Sequence, residues 1–102
     1  MSDARASIRG WNALAIHPGD NVAVALEDIA SGGGVRVRSE GRVIEFVASQ
    51  PIALGHKIAL VDLAPGDPIV KYGETIGVAS TTIAKGSHVH VHNLASRRGR
   101  QP

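Results

Sequence analysis

The sequence predicts a small all-β domain with short strands and many turns. Three observations carry that reading. The apolar residues are mostly Ala, Val, Ile and Leu, with one Trp, one Tyr and one Phe in 102 residues, and branched aliphatics favour strands. Twelve glycines and five prolines punctuate the chain, which keeps the runs between turns short. Side chains alternate with period two in Val35-Arg36-Val37-Arg38 and in His88-Val89-His90-Val91-His92, the period of a strand and not of a helix. A chain of this length is expected to build one domain around one modest core.

Composition narrows the function classes. There is no cysteine, so disulfides and thiolate metal sites are excluded. The formal net charge is +2 and the pI about 9.5. The excess is terminal, however: Arg5 and Arg9 lie near one end, Arg97, Arg98 and Arg100 near the other, and the middle is mixed in sign. With so few aromatics for base stacking, no nucleic-acid partner is expected. Residues 1–13 are polar and lack the apolar run of a signal peptide. No stretch approaches the roughly 20 apolar residues of a membrane helix. The expectation is a soluble, cytoplasmic protein with no membrane partner.

Residues 1–13 read as a lead-in whose one large anchor is Trp11. Leu14-Ala15-Ile16 is a short strand stopped at His17-Pro18-Gly19-Asp20, a turn capped by a carboxylate. Asn21 to Leu26 is a second strand, with larger residues at 22, 24 and 26. Glu27-Asp28-Ile29-Ala30 reads as a single helical turn ended by Ser31-Gly32-Gly33-Gly34. That glycine run lacks the Lys-Ser/Thr of a phosphate-binding loop and is taken as a turn. Val35–Arg38 and Arg42–Val47 form a hairpin through a three-residue connection, Ser39-Glu40-Gly41.

Gln50 to Gly55 is a connection, and His56 to Leu63 the next strand. Ala64-Pro65-Gly66-Asp67-Pro68 breaks it. Ile69–Glu74 is a short strand and turn, Thr75–Ser80 a strand containing Gly77, and residues 81–86 lead into the histidine strand. Residues 94–102 form a basic tail. Pro-Gly-Asp occurs at 18–20 and 65–67, and Ala-x-Gly at 53–55 and 84–86. The unequal offsets argue against a tandem repeat and leave two similar β-loops related by a pseudo-twofold.

His88, His90 and His92 share one face if the strand is extended. In register they form a metal-binding edge, since neutral imidazole is a common ligand; the bland alternative is a solvated strand. Neighbouring histidines would lie about 6.6 Å apart at Cα, and His88 and His92 about 13 Å apart. Two adjacent rings then share one ion, with His90 in either pair, and all three do so only if the strand bends. Asp20, Asn21, His56, Lys57, Lys71, Tyr72 and Asn93 complete the polar set, each beside a glycine or at a strand end. Turn, surface and core roles compete for each of them, and Asn93 is expected to matter less than the histidines. There is no Ser-His-Asp or Cys-His constellation and no paired-carboxylate motif.

Asp20-Asn21-Val22-Ala23-Val24-Ala25-Leu26, Gly55-His56-Lys57-Ile58-Ala59-Leu60, Lys71-Tyr72-Gly73, Ile76-Gly77 and His88-Val89-His90-Val91-His92-Asn93 occur in this order. Together they resemble the N-terminal SAF domain of the altronate/galactarate dehydratase family. The resemblance runs over residues 14–93 and implies a β-clip fold there. The histidine block is closer to the altronate-type branch.

The resemblance also implies chemistry. The family removes water from sugar acids with a divalent metal, iron(II) or manganese, and a related branch removes sulfite from sulfolactate. Most of the catalytic apparatus lies in a much larger subunit or domain, so the isolated chain is expected to be inactive. In that scheme His88 and His90 bind metal, while His56, Lys57 and His92 are catalytic. Asp20, Asn21, Lys71 and Tyr72 contact the sugar acid. A homo-oligomer is compatible with this, and the sequence names neither the sugar acid nor the subunit that holds the metal. The competing expectations are a non-catalytic docking module, a stand-alone sugar-acid binder, and the small subunit of a sulfolactate sulfo-lyase.

Overall fold

A computed structural model describes residues 10–96, and among these residues there is no helix. Nine strands form: β1 Ala13–Ala15, β2 Val22–Ala25, β3 Gly34–Ser39, β4 Arg42–Val47, β5 Lys57–Ala59, β6 Pro68–Lys71, β7 Glu74–Ala79, β8 His88–Val89 and β9 Leu94–Ala95. Six make one sheet in the order β4-β3-β1-β2-β5-β8, and three make another in the order β6-β7-β9. Among the described residues only β1 and β3 pair in parallel. The all-β expectation holds; the parts of the lead-in and tail at residues 1–9 and 97–102 lie outside the described residues.

Both hairpins turn on two residues with positive φ. Glu40 and Gly41 have φ of 50° and 80°, and Tyr72 and Gly73 have 55° and 80°. That is the type I′ turn, whose twist matches the strands it joins. The first hairpin was expected with a three-residue connection, but Ser39 pairs with Arg42, which leaves a loop of two. The helical turn expected at 27–30 is also absent. Ile29 instead makes an isolated bridge with Ile52.

That bridge reveals a duplication that the offsets hid. Ile29–Ile52 and Leu63–Ile83 are equivalent bridges. Each of the four residues opens an Ala-x-Gly turn closed by a backbone hydrogen bond: Gly33 N to Ala30 O, His56 N to Ala53 O, Asp67 N to Ala64 O and Ser87 N to Ala84 O, at 2.8–3.0 Å. The glycines at 32, 55, 66 and 86 have φ between 82° and 91°, as the third position of a type II turn requires. Asp28 Oδ1 accepts from Leu54 N across the first bridge, and Asp62 Oδ1 accepts from Lys85 N across the second, both at 2.8 Å. Each unit thus contains a bridge, two turns and a hairpin (β3–β4, then β6–β7). The second hairpin is shorter, so no single offset aligns the units.

Each unit has its own core. Ile29, Val35, Val37, Ile52 and Ile58 are buried in the first; Val22, Leu63, Ile69, Ile83 and Val89 are buried in the second. The strands β2, β5 and β8 lie between them. Lys57 stands opposite Val89, and Ile58 opposite His88. Opposed residues of an antiparallel pair share a face, and neighbours along a strand alternate. His56, Ile58 and His88 therefore face the first core, while Lys57, Ala59 and Val89 face the second. The strand expected at 56–63 ends at Ala59, where the chain bends at residues 60–61 on its way to the Leu63 bridge.

Candidate histidine-cluster site

Two local structures bring the imidazoles together. The first is the turn ending at His56, whose N donates to Ala53 O and whose O accepts from Ala25 N. This fixes the ring at the start of β5. The second is a bend after Val89. The histidine strand expected over 88–92 stops at Val89, and residues 91–93 form a turn. Asn93, only 6% exposed, causes the bend. Its Oδ1 accepts from His90 N at 2.9 Å, its Nδ2 donates to His88 O at 2.8 Å, and its own N donates to His90 O at 3.0 Å. Gln50 Oε1 holds the other side by accepting from His88 N at 2.9 Å.

The resulting ring geometry corrects the extended-strand picture. His56 Nδ1 and His88 Nε2 are 2.8 Å apart. Ring centres are separated by 5.0 Å for His56–His88, 4.4 Å for His56–His90 and 5.3 Å for His88–His90. His92, whose Cα was expected about 13 Å from that of His88 along an extended strand, brings its ring centre to 5.4 Å from the His88 ring centre. One donor atom from each of His56, His88 and His90 lies within 4.8 Å of the others. The trio thus includes His56, which the strand periodicity alone did not place there.

The surroundings of the cluster disfavour protonation of His88 and His90. Burial, then the neighbouring His56, His92, His90 and Lys57, pushes the His88 pKa down. Burial, then His56, Lys57 and His92, does the same for His90. Neutral imidazoles offer lone pairs to a cation or accept protons. Lys57 lies on the side facing the second core, and its pKa is lowered by burial first and by Lys71 second. Lys71 Nζ sits 5.1 Å from the centre of the Tyr72 ring. His56 and His88 also line an open cleft of about 520 Å³. Its walls include Ile29, Pro51, Ile52 and Ala53, with Asp28 at its edge.

The donor atoms lie close enough together to share a divalent ion once the rings, stacked at interplanar angles of 14–23°, turn toward it. An ion about 2.1 Å from each nitrogen lies roughly 3.2 Å from each ring centre, which puts ring centres about 4.6 Å apart for right-angle ligands and about 5.3 Å apart for tetrahedral ones. The observed 4.4–5.3 Å brackets that range.

Two expected site residues are committed to the scaffold. Asp20 Oδ2 accepts from Ile16 N and His17 N, and its Oδ1 accepts from Gly73 N at 2.7 Å. Asn21 Oδ1 accepts from Val70 N at 2.7 Å, and its Nδ2 donates to Pro68 O at 2.9 Å. Both side chains tie the second hairpin to the start of β2. Gln50 and Asp28 had no sequence signal of their own. The repeat of Asp28 at Asp62 is visible only once the two units are aligned.

Known proteins resemble this chain in sequence. The chain matches the family described as "Altronate/galactarate dehydratase SAF domain" over residues 11–97. It is 48% identical over 80 residues to altronate dehydratase of Escherichia coli (strain K12), covering 78% of this chain and 15% of that protein. The altronate dehydratase of Bacillus subtilis (strain 168) gives the same identity and coverage. The (2R)-sulfolactate sulfo-lyase subunit alpha of Chromohalobacter salexigens is 33% identical over 87 residues, covering 81% of this chain and 93% of that subunit. The chain therefore spans about 15% of the length of the dehydratases it matches. On the family match across most of its length, the chain belongs to the altronate/galactarate dehydratase SAF domain family.

Proposed function

We propose that this chain is the SAF part of a sugar-acid hydro-lyase of altronate-dehydratase type, working in the cytoplasm beside a large catalytic subunit or domain. The observation that carries the reading is the convergence of three imidazoles from both units near a lysine whose pKa is lowered. That is the equipment of an elimination next to a carboxylate. A base removes the proton α to the carboxylate, the β C–O bond breaks, and the hydroxyl leaves with an added proton. The enol that remains becomes a 2-keto acid.

Each group has a task in this scheme. Lys57, with Lys71 near it, meets the substrate carboxylate. Tyr72, beneath the Lys71 ammonium, orients a hydroxyl. His92 is exposed and close to His88, placed to pass a proton to or from solvent. The divalent ion expected of the family, iron(II) or manganese, would be held at the imidazole cluster and supply positive charge for the developing enediolate. Asp20 and Asn21 hold the Lys71–Tyr72 hairpin in place and reach substrate only through it.

A second reading is the small subunit of a sulfolactate-type sulfo-lyase, favoured by the 93% coverage of such a subunit. The first step is shared and the leaving group is sulfite. The test is reconstitution with a large dehydratase subunit, offering altronate, galactarate and sulfolactate in turn. Dehydration of a sugar acid only when both parts are present is the expected result. Sulfite release selects the second reading. Turnover by the 102-residue chain alone overturns the division of labour, and no turnover with any substrate overturns both lyase readings in favour of a docking module.

A further inference from the structure

We propose that His17 is a positioning residue. Its ring, held in one tautomer, packs against the Tyr72–Gly73 tip of the second hairpin and sets where Lys71 and Tyr72 stand. This role rests on the reading in which those two side chains meet the sugar acid, and supplies the group that holds them without touching substrate itself.

The contact is close. A Cβ at position 73 would lie 2.8 Å from Cδ2, 3.0 Å from Cγ and 3.3 Å from Nε2 of His17. Only glycine leaves the ring its place there, and the φ of 80° at Gly73 favours glycine for a second reason. The ring is anchored from the other side, because Gly19 N donates to His17 Nδ1 at 3.0 Å. An Nδ1 that accepts carries no proton, so the neutral ring holds its proton on Nε2.

His17 and Asp20 form one clamp. His17 N donates to Asp20 Oδ2 at 3.2 Å, and His17 O accepts from Asp20 N at 3.0 Å. Asp20 Oδ1 then accepts from Gly73 N at 2.7 Å. The tip is gripped twice, by a carboxylate on its N–H and by a ring against its Cα. Asn21 holds β6 itself, at Pro68 and Val70.

The His17 ring is exposed, so filling a core does not account for it. What it braces is a costly turn. Tyr72 has a φ of 55°, a conformation that residues with a Cβ tolerate poorly and that persists where the surroundings fix it. If the tip shifts, the Tyr72 ring moves, and with it the Lys71 ammonium 5.1 Å from the ring centre.

The experiment uses the full-length chain, alone and reconstituted with a large dehydratase subunit. In the unmutated chain, nitrogen-15 spectra should show a coupling between the Gly19 amide nitrogen and His17 Nδ1 across their hydrogen bond. Its absence overturns the fixed tautomer whatever any variant does. His17→Asn keeps a side-chain acceptor in the turn and removes the ring. Exchange of the Gly73 amide with solvent should then quicken at least about tenfold. In the reconstituted enzyme KM for the sugar acid should rise about tenfold, with kcat within about threefold of the parent. Gly73→Ala should shift the unfolding equilibrium at least about fivefold less in the His17→Asn background than in the parent, because the strain of positive φ is common to both and only the ring contact differs. Unchanged exchange at Gly73, equal cost of Gly73→Ala in the two backgrounds, or an unchanged KM overturns the inference and leaves the lyase reading standing. A parent that turns over no sugar acid sinks the lyase reading, and the exchange and Gly73→Ala results then decide the clamp by themselves.

Discussion

Asn93 shows how much one buried amide can organise. The sequence marks His88, His90 and His92 by their spacing, and treats Asn93 as a strand end of lesser weight. In the structure its side chain bonds to both His88 and His90 and turns an extended edge into a cluster. The histidines were legible because period two is visible in a short run. The recruitment of His56 was not, because it depends on pairing β5 with β8 across a separation of 32 residues. Replacing Asn93 with Ala leaves a buried carbonyl and an amide without their partners. The cost should be about 2 kcal/mol, and the melting temperature should fall by roughly 10 °C for a domain of this size. Asn93→Asp keeps the acceptor toward His90 and should lose less. Thermal melts of the metal-free variants check both expectations; an unchanged Asn93→Ala melt would show that the bend is set elsewhere.

The two hairpins are built alike but carry different residues at the tight turn. The first central position holds Glu40 in one and Tyr72 in the other, both with positive φ, where Asn is the favoured residue. Glu40→Asn and Tyr72→Asn should each raise stability, by about 0.5 kcal/mol, because a side chain is relieved of a backbone it tolerates poorly. Only Tyr72 sits under Lys71, so only Tyr72→Asn should lower turnover of the reconstituted enzyme. Urea titrations and rates for the pair check this, and equal rates would reduce Tyr72 to a turn residue. The hairpins themselves were legible from alternation and glycine. The end of β5 at Ala59 was not, because the apolar run continues through Leu60 and Val61 to Leu63, which serves the second core.

At the scale of the whole molecule, two cores share one ladder. Ile58 fills the first and Val89, beside it across β5 and β8, fills the second. Neither core closes without the strands it shares with the other, so the chain should unfold in one step. Ile58→Ala and Ile83→Ala lie in different cores; each should cost about 2–5 kcal/mol and move the same single transition. Agreement of calorimetric and van't Hoff enthalpies in the parent and both variants checks this. A variant that splits the transition would show two independent units. The fold class was legible from composition and turns, whereas the duplication was obscured by a shorter second hairpin and by different residues in matched turns.

Those mismatched turns have a consequence. The turn that ends in His56 in the first unit ends in Ser87 in the second, and Lys57, next along, matches His88. Two separate copies of one unit, paired with each other, would present identical residues on both sides of the seam. Two units in a single chain carry no such constraint. One side holds a ring where the other holds a hydroxyl, and a lysine where the other holds an imidazole. The three converging rings lie across that seam, so neither half assembles them alone.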